Sequence, residues 1–278
     1  MKIKPFVKLL RLFDAKGYFL FCLFGFLLAK GFNFPLIDIL IFWILIFLGA
    51  GFAFSINECF DQNEDKFNFT KENPILLKEV DSKKALSFSL FLAFLALIIS
   101  FFYRIDIFLF CLFSFLLIFF YSSPPIRFKS RPILDLISHG LFGGSLLVIF
   151  PFLFFKTKIN YFHYFIFSLV FFISVILELR NEYEDYESDK LGKVKTTCYF
   201  LGKERTKKLI DFLLFSYLSL LFLLFYLFLT NILYLFFIFT ISYLFLFLFF
   251  KKQRFVKEYR LLDAYNVLIF LIILFSFI

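Results

Sequence analysis

The sequence predicts an all-α, polytopic membrane protein of about nine transmembrane helices, arranged as two four-helix halves plus one. Three observations predict it. Of the 278 residues, 62% are hydrophobic and 54 are Phe, more apolar surface than a soluble chain of this size can hide. The apolar residues fall into runs close to the roughly 20 residues that a spanning helix needs. Basic residues collect in alternate connections between those runs. One transmembrane domain is expected over the whole chain, 1–278.

The runs are taken in order. The first, 16–33, follows several basic residues, but no small-residue cleavage site comes after it, so it reads as a first helix rather than a signal peptide. The second, 36–57, stops at an acidic cluster. Runs 85–103 and 107–123 follow, and Pro124-Pro125 ends the fourth. The fifth, 134–155, carries His139 early, and the sixth, 160–180, leads into a second acidic cluster. Runs 208–229, 231–250 and 261–278 complete the series. The charge run Lys203–Lys208 reads as a helix start at the membrane surface. Acidic clusters at the ends of the second and sixth runs, four spans apart, suggest two similar halves with a shared site between them.

Charge sets the orientation. Lys and Arg number five up to Lys16, five in 58–84, three in 124–133, eight in 180–208 and five in 251–260; only Lys30, Arg104, Lys156 and Lys158 lie on the other side. Positive charge marks the cytoplasmic face. The expected protein is therefore an integral cell-membrane protein with its N-terminus and long loops inside and its C-terminus outside. The net charge of +9 is mostly topology, which argues against nucleic acid as a partner and for the lipid bilayer. Cys22, Cys59, Cys111 and Cys198 form no CxxC pair, so neither a zinc site nor a redox couple is indicated.

The first cluster reads Asn57-Glu58-Cys59-Phe60-Asp61-Gln62-Asn63-Glu64-Asp65. On a helix, Asn57, Asp61 and Asp65 share one face. In the second, Asp185 and Asp189 are again four apart, with Glu182 and Glu178 continuing the stripe. Each cluster alone also suits a solvated acidic face. Two matched stripes of mutually repelling carboxylates beside a bilayer suit ligands for a hard cation better. Magnesium prefers oxygen and is commonly held by one or two carboxylates plus substrate phosphates. Between the clusters, Tyr121-Ser-Ser-Pro-Pro-Ile-Arg127-Phe-Lys129-Ser-Arg131 carries three alternating cations. On an extended stretch these would point one way and clamp a phosphate, although an ordinary positive-inside loop looks the same. His139, with Asp135 and Ser138 in its turn, is expected to make a small polar group facing the cavity; hydrogen bonding between helices is the plainer reading.

These motifs resemble the UbiA superfamily of intramembrane prenyltransferases. Its members carry Asn-Asp-x-x-Asp-x-x-x-Asp after the second helix, Asp-x-x-Asp-x-x-x-Asp after the sixth, and in many cases Tyr-Ser-x-Pro-Pro-x-Arg-x-Lys after the fourth. Here the matching positions are Asn57 to Asp65, Glu182 to Asp189 and Tyr121 to Lys129. The stretch Asp189-Lys-Leu-Gly192 onward, and Leu201-Gly202-Lys203, are similar too. Glu58 and Glu182 replace the usual Asp, and Asn73-Pro74 stands where the family has Arg-Pro, leaving Lys71 or Lys78 to replace that Arg.

The resemblance implies Mg2+ as cofactor, held by Asn57, Glu58, Asp61, Asp65, Glu182, Asp185 and Asp189. It implies a prenyl diphosphate donor gripped by Arg127, Lys129, Arg131, Lys71 and Lys190, with Asp61, Asp185, Lys129 and Tyr121 central to catalysis; His139, by its own position, reads as a base or an acceptor-binding group. The expected reaction transfers a prenyl group to an aromatic, quinone-precursor or other lipophilic acceptor and releases diphosphate. Aromatic faces would stabilise an allylic cation. A divalent-cation or metabolite transporter is the alternative, but the carboxylates lie at helix ends rather than mid-membrane. The Asp-Gly-x-x-Ala-Arg signature of CDP-alcohol phosphatidyltransferases is absent.

Overall fold

The computed structural model describes residues 4–68, 71–250 and 255–276, and side chains are described up to 245 and again from 261 to 276. Among these residues it is entirely helical. In chain order the helices are α1 (Lys4–Leu9), α2 (Lys16–Leu28), α3 (Leu36–Phe60), α4 (Gln62–Asp65), α5 (Ser82–Tyr103), α6 (Ile105–Ser122) and α7 (Leu134–Gly140). They continue with α8 (Leu146–Phe154), α9 (Tyr161–Glu184), α10 (Tyr186–Gly192), α11 (Thr197–Leu201), α12 (Lys203–Phe228), α13 (Leu233–Phe250) and α14 (Phe255–Phe275).

Six apolar segments among the described residues are long enough to cross a bilayer: α3, α5, α6, α7 with α8, α9 and α12. Three shorter apolar helices, Lys16–Leu28, Thr230–Phe245 and Leu261–Phe275, stand at the first, eighth and ninth expected runs. The first is shorter than expected because Lys30 turns left-handed and 31–33 forms a 3-10 turn. The second and sixth are longer, since helix continues through polar residues to Phe60 and Glu184. The seventh begins at Lys203, so the basic run is the first turns of the helix itself. The expected basic connection 251–260 lies partly outside the described residues, as do 277–278.

Each half has its own apolar core. One gathers Phe42, Phe52, Ala96, Ile107 and Phe115 from α3, α5 and α6; the other gathers Ile166, Val170, Tyr217, Leu221 and Ile269 from α9, α12 and α14. In corresponding fashion, α3 packs chiefly along α5 and α9 along α12. The halves meet through α2, which packs along α8, and Phe24 stacks on Phe270 of α14 at 4.4 Å. That approach needs a small residue: a Cβ on Gly25 would lie 2.8 Å from the Val148 carbonyl oxygen. The fifth span is not one regular helix. A π turn, Leu141–Ser145, separates α7 from α8.

Local sequence fixes the ends that face the loops. Asp81 caps α5 by accepting from the N–H groups of Lys83 and Lys84. At the opposite end of the bundle, Arg104 holds Asp106 and donates to the carbonyls of Leu153 and Phe154. Many Phe and Leu side chains on α5, α6 and α12 point outward, among them Phe91, Phe94, Phe113, Phe212 and Phe215, the pattern of a lipid-facing surface.

Candidate active site

Both acidic motifs end their spans in the same way. α3 stops at Asp61, whose backbone (φ −89, ψ 7) breaks the helix before α4 resumes. α9 stops at Asp185 (φ −86, ψ 5) before α10 resumes. The main-chain bonds carry across each break, Asp61 N–H to Asn57 O and Asp65 N–H to Asp61 O in one, Asp185 N–H to Asn181 O and Asp189 N–H to Asp185 O in the other. The uninterrupted stripes expected from the sequence are therefore kinked, each at its central Asp.

The kinks turn α4 and α10 against each other. Gly192 allows this, since a Cβ there would lie 2.8 Å from the Glu64 Cα. Asn68, just past the first motif, donates to Asp185 Oδ1 of the second at 3.0 Å. Below the junctions lies a cavity of about 720 Å3, lined on its polar side by Asn57, Asp61, Glu64, Asp65, Asp185 and Asp189. An apolar slot shares its walls through Tyr18, Ala53, Ile118 and Phe142 and runs on between Leu45, Gly49, Phe110 and Phe150.

The two motifs differ in their counter-charges. In the first, Lys129 pairs with Asp61 and with Glu64, and Arg127 with Glu64 at 2.5 Å and Asp61 at 3.2 Å. Lys71 holds Asp65 at 2.8 Å and Glu58 at 3.3 Å. Burial would raise the Asp61 pKa, but Lys129 and Lys71 outweigh it and hold it well below the usual carboxylate range. Burial likewise works against the charge on Lys129, and Asp61 and Glu64 reverse this and raise its pKa. Glu64 moves up, through burial and the nearby Asp61 charge. Burial pushes Asp189 up to about 7, helped by Asp185 and opposed by Lys129.

The residues expected at the site fall into three groups. Asn57, Asp61, Asp65, Asp185, Asp189, Lys129, Lys71, Tyr121 and His139 line the cavity. Arg127 stands behind, on the carboxylates of Asp61 and Glu64. Three others do not reach the cavity as expected. Glu58 is 1% exposed and serves as counter-ion to Arg11 and Lys71. Lys190 is exposed and off the cavity wall. Arg131 turns back onto the carbonyls of Ile126 and Pro125, because the loop is no extended strand: Arg127 is left-handed and 128–130 forms a 3-10 turn.

Glu182 borders the cavity but spends one oxygen on the Cys198 N–H, 2.8 Å away. Asn73 is a brace, donating to Asp65 Oδ2 and to the Glu58 carbonyl, so Lys71 and not Lys78 supplies the cation beside it. The polar group expected around His139 also changes. Asp135 is bound by the backbone and hydroxyl of Thr197, and Ser138 by its own helix. His139 instead meets Tyr18, Ser174 and Glu178.

Asn68, Asn181 and Arg11 were missed by sequence reasoning, while Glu64 and Glu178, seen in the acidic clusters, were given no role at the site. A signal for Asn181 exists: Asn57-Glu58-x-x-Asp61-x-x-x-Asp65 repeats residue for residue as Asn181-Glu182-x-x-Asp185-x-x-x-Asp189. Arg11 has none, being carried to the site by α1.

The donor set suits a hard cation. Carboxylates converge on one wall, Glu64 Oε2 is buried without a partner, and Asp189 carries charge that burial disfavours. Among the described residues no three carboxylate, His or Cys side chains stand close enough to cage a metal by themselves. That arrangement fits an ion that keeps water and shares a substrate's oxygens.

The fold is similar to that of a UbiA homologue from Archaeoglobus fulgidus solved with GPP and Mg2+, at a TM-score of 0.74 and 22% identity over 97% of this chain and 96% of that one. A digeranylgeranylglyceryl phosphate synthase structure is similar at a TM-score of 0.68 and 19% identity, over 99% and 96% of the two chains. In sequence, the digeranylgeranylglyceryl phosphate synthase of Methanococcus aeolicus is 27% identical over 219 residues, 78% of this chain and 76% of the relative. That of Methanococcus maripaludis is 29% identical over 195 residues, 70% and 67% respectively. The model of the UbiA prenyltransferase family matches residues 18–274, nearly the full length, and the chain belongs to that family.

Proposed function

We propose that the protein is a Mg2+-dependent intramembrane prenyltransferase that moves a prenyl group from its diphosphate to a hydroxyl of a prenylated glyceryl phosphate. The observation that carries the reading is the junction of the two acidic motifs over one cavity that continues into an apolar slot. A diphosphate head and an isoprenoid tail need those two environments side by side. The acceptor class follows the name shared by the curated relatives. Positive-inside charge puts the motifs at the cytoplasmic face, with the N-terminus inside and the C-terminus outside.

Asp61, Asp65, Asp185 and Asp189, with Asn57 and Glu64 beside them, would hold the metal. When bound, Mg2+ would neutralise the diphosphate among the carboxylates and favour its departure. Lys129 and Lys71 supply the cations of the site. Each neutralises first-motif carboxylates and stands on the cavity wall, where its ammonium group can also reach diphosphate oxygens. Arg127 keeps its hold on Asp61 and Glu64 and so fixes the carboxylates. Donors already placed where negative charge collects lower the barrier to C–O cleavage. Tyr18, Phe54, Tyr121 and Phe142 line the route between head and tail sites and offer aromatic faces to an allylic cation.

The test uses the purified protein in lipid nanodiscs with geranylgeranyl diphosphate, geranylgeranylglyceryl phosphate and Mg2+. Transfer should occur in the wild type and disappear in both Asp61→Ala and Asp185→Ala. Near-wild-type turnover in either variant would sink the two-motif reading.

A further inference from the structure

Below the carboxylates, the cavity wall carries a second polar group that binding a diphosphate does not require. His139 of α7 faces Glu178 of α9, with Nε2 to Oε2 at 3.4 Å. Tyr121 of α6 donates to the other Glu178 oxygen at 2.5 Å, and Tyr18 of α2 places its hydroxyl 3.4 Å from His139 Nε2. Four helices thus send polar side chains to one point in an otherwise apolar wall. Such groups at membrane depth are costly and mark function.

The hydrogen bonds accommodate the tautomer in which Nε2 is free. Ser174 Oγ lies 3.2 Å from the carbonyl of His139 and 3.1 Å from His139 Nδ1. In that tautomer the Ser174 hydroxyl donates to the carbonyl and accepts from Nδ1–H. Nε2 then carries the lone pair, beside the cavity and beside a carboxylate. A proton arriving on Nε2 meets Glu178 Oε2 at once, and the imidazolium it creates is stabilised there.

The backbone makes room for this ring. His139 is followed by the π turn 141–145, and a Cβ on Gly143 would lie 2.9 Å from the His139 Cε1. A Cβ on Gly144 would lie 2.7 Å from the Ser174 Cβ. Glu178 stands seven residues before Asp185 on α9, about 10 Å along the axis at 1.5 Å per residue. A donor with its diphosphate at the junction would bring its reacting carbon toward this level of the cavity.

We propose that His139 is the catalytic base that activates the acceptor, with Glu178 and Ser174 as its positioning residues. This rests on the prenyl-transfer reading. The acceptor oxygen bonds to the allylic C1 while its O–H proton passes to His139 Nε2. The C1–O bond to diphosphate breaks, and its electron pair leaves with the diphosphate. The proton returns to water as the product departs. Atoms and charge balance without any further reactant.

The experiment compares wild type, His139→Gln and Glu178→Gln in nanodiscs at saturating Mg2+, geranylgeranyl diphosphate and geranylgeranylglyceryl phosphate, from pH 5.5 to pH 9. Donor binding is measured separately by equilibrium dialysis, and folding by thermal melting. Tyr18, Tyr121, Glu178 and Arg11 also face this part of the cavity, so the informative quantity is the difference between each variant and the wild type across pH. In His139→Gln, donor affinity should stay within about threefold of the wild type while kcat falls roughly 10²–10⁴-fold, the usual contribution of a general base. Any rise of kcat with pH that depends on this base should vanish. In Glu178→Gln, kcat should fall while donor affinity stays within about threefold of the wild type, because the ring loses the carboxylate that positions it. A His139→Gln enzyme that binds donor, folds and keeps the wild-type rate and pH profile overturns the assignment of His139 alone. A uniform loss at every pH, with the rise intact, also overturns it and makes His139 structural. A wild type that binds donor but never transfers to this acceptor overturns the prenyl-transfer reading and the base together.

Discussion

The Asn68 amide donates to Asp185 Oδ1 across 3.0 Å and ties the two acidic motifs together although 117 residues separate them. Asn68 comes from the connection after the first motif, and Asp185 is the residue at which α9 kinks. Replacing Asn68 by Ala should leave the fold intact and weaken donor binding in the presence of Mg2+ by roughly tenfold, the scale of one hydrogen bond to a charged group. Donor titration of the variant in nanodiscs, set beside its melting temperature, checks this.

The matched central carboxylates should respond differently to neutralisation. Asp61 is fully buried and balances the half-buried Lys129 and Arg127, whereas Asp185 is exposed and bound by Asn68. Asp61→Asn should destabilise the protein by about 3 kcal/mol, because these cations lose a counter-ion. Asp185→Asn should cost no more than about 0.5 kcal/mol. Both should reduce transfer by at least about 100-fold. Denaturation in detergent, run alongside the transfer assay, separates the two effects.

Stability without metal should depend on pH through Asp189. Burial holds its pKa at about 7, against an ordinary 3.8, so between these values the folded state binds the proton that the unfolded chain has lost. The contribution is present at low pH and disappears as pH rises through about 7. The metal-free protein should therefore melt at lower temperature at pH 8 than at pH 6. Added Mg2+ should restore the loss at pH 8 and act less at pH 6, where it must displace the proton. Equal melting temperatures at both pH values without metal would argue against a buried Asp189.

Gly192→Ala tests the contact between α4 and α10. A methyl group there meets Glu64 main-chain and Cβ atoms at 2.8 Å, which cannot give way as a flexible side chain would. We expect a loss of about 1–3 kcal/mol in stability and a raised KM for donor, with kcat less affected. A variant with unchanged KM would mean that the separation of the motifs does not govern donor binding.

Much of this was legible in the sequence, and the failures share a cause. Apolar run length fixes where spans lie, so α3, α5, α6, α9 and α12 fall close to their expected places. The carboxylate spacing also brings Asp61, Asp65, Asp185 and Asp189 to one cavity, through main-chain bonds that keep the i, i+4 relation across each kink. Side-chain direction in irregular backbone was not legible. The alternating Arg127, Lys129 and Arg131 imply one face only on an extended strand, and left-handed Arg127 removes that premise. Glu58 looks like a ligand by position, yet Arg11 and Lys71 claim it, and Glu182 on the cavity wall gives one of its two oxygens to the Cys198 N–H. No local pattern announces partners that arrive from distant helices.

The π turn at Leu141–Ser145 also sets an angle. A π turn holds one residue more than an α turn, and each helical residue advances the chain by about 100°. Everything on α8 is therefore rotated by about that much relative to an unbroken continuation of α7. His139 can look into the cavity while Val148 and Pro151 present themselves to Gly25 of α2. The fifth span works as two faces of different phase on one rod, and deleting a residue of α8 between Val148 and Pro151, where no π turn absorbs it, would bring them out of step. Length and hydropathy would pass such a deletion as harmless, since the rod would still span the bilayer.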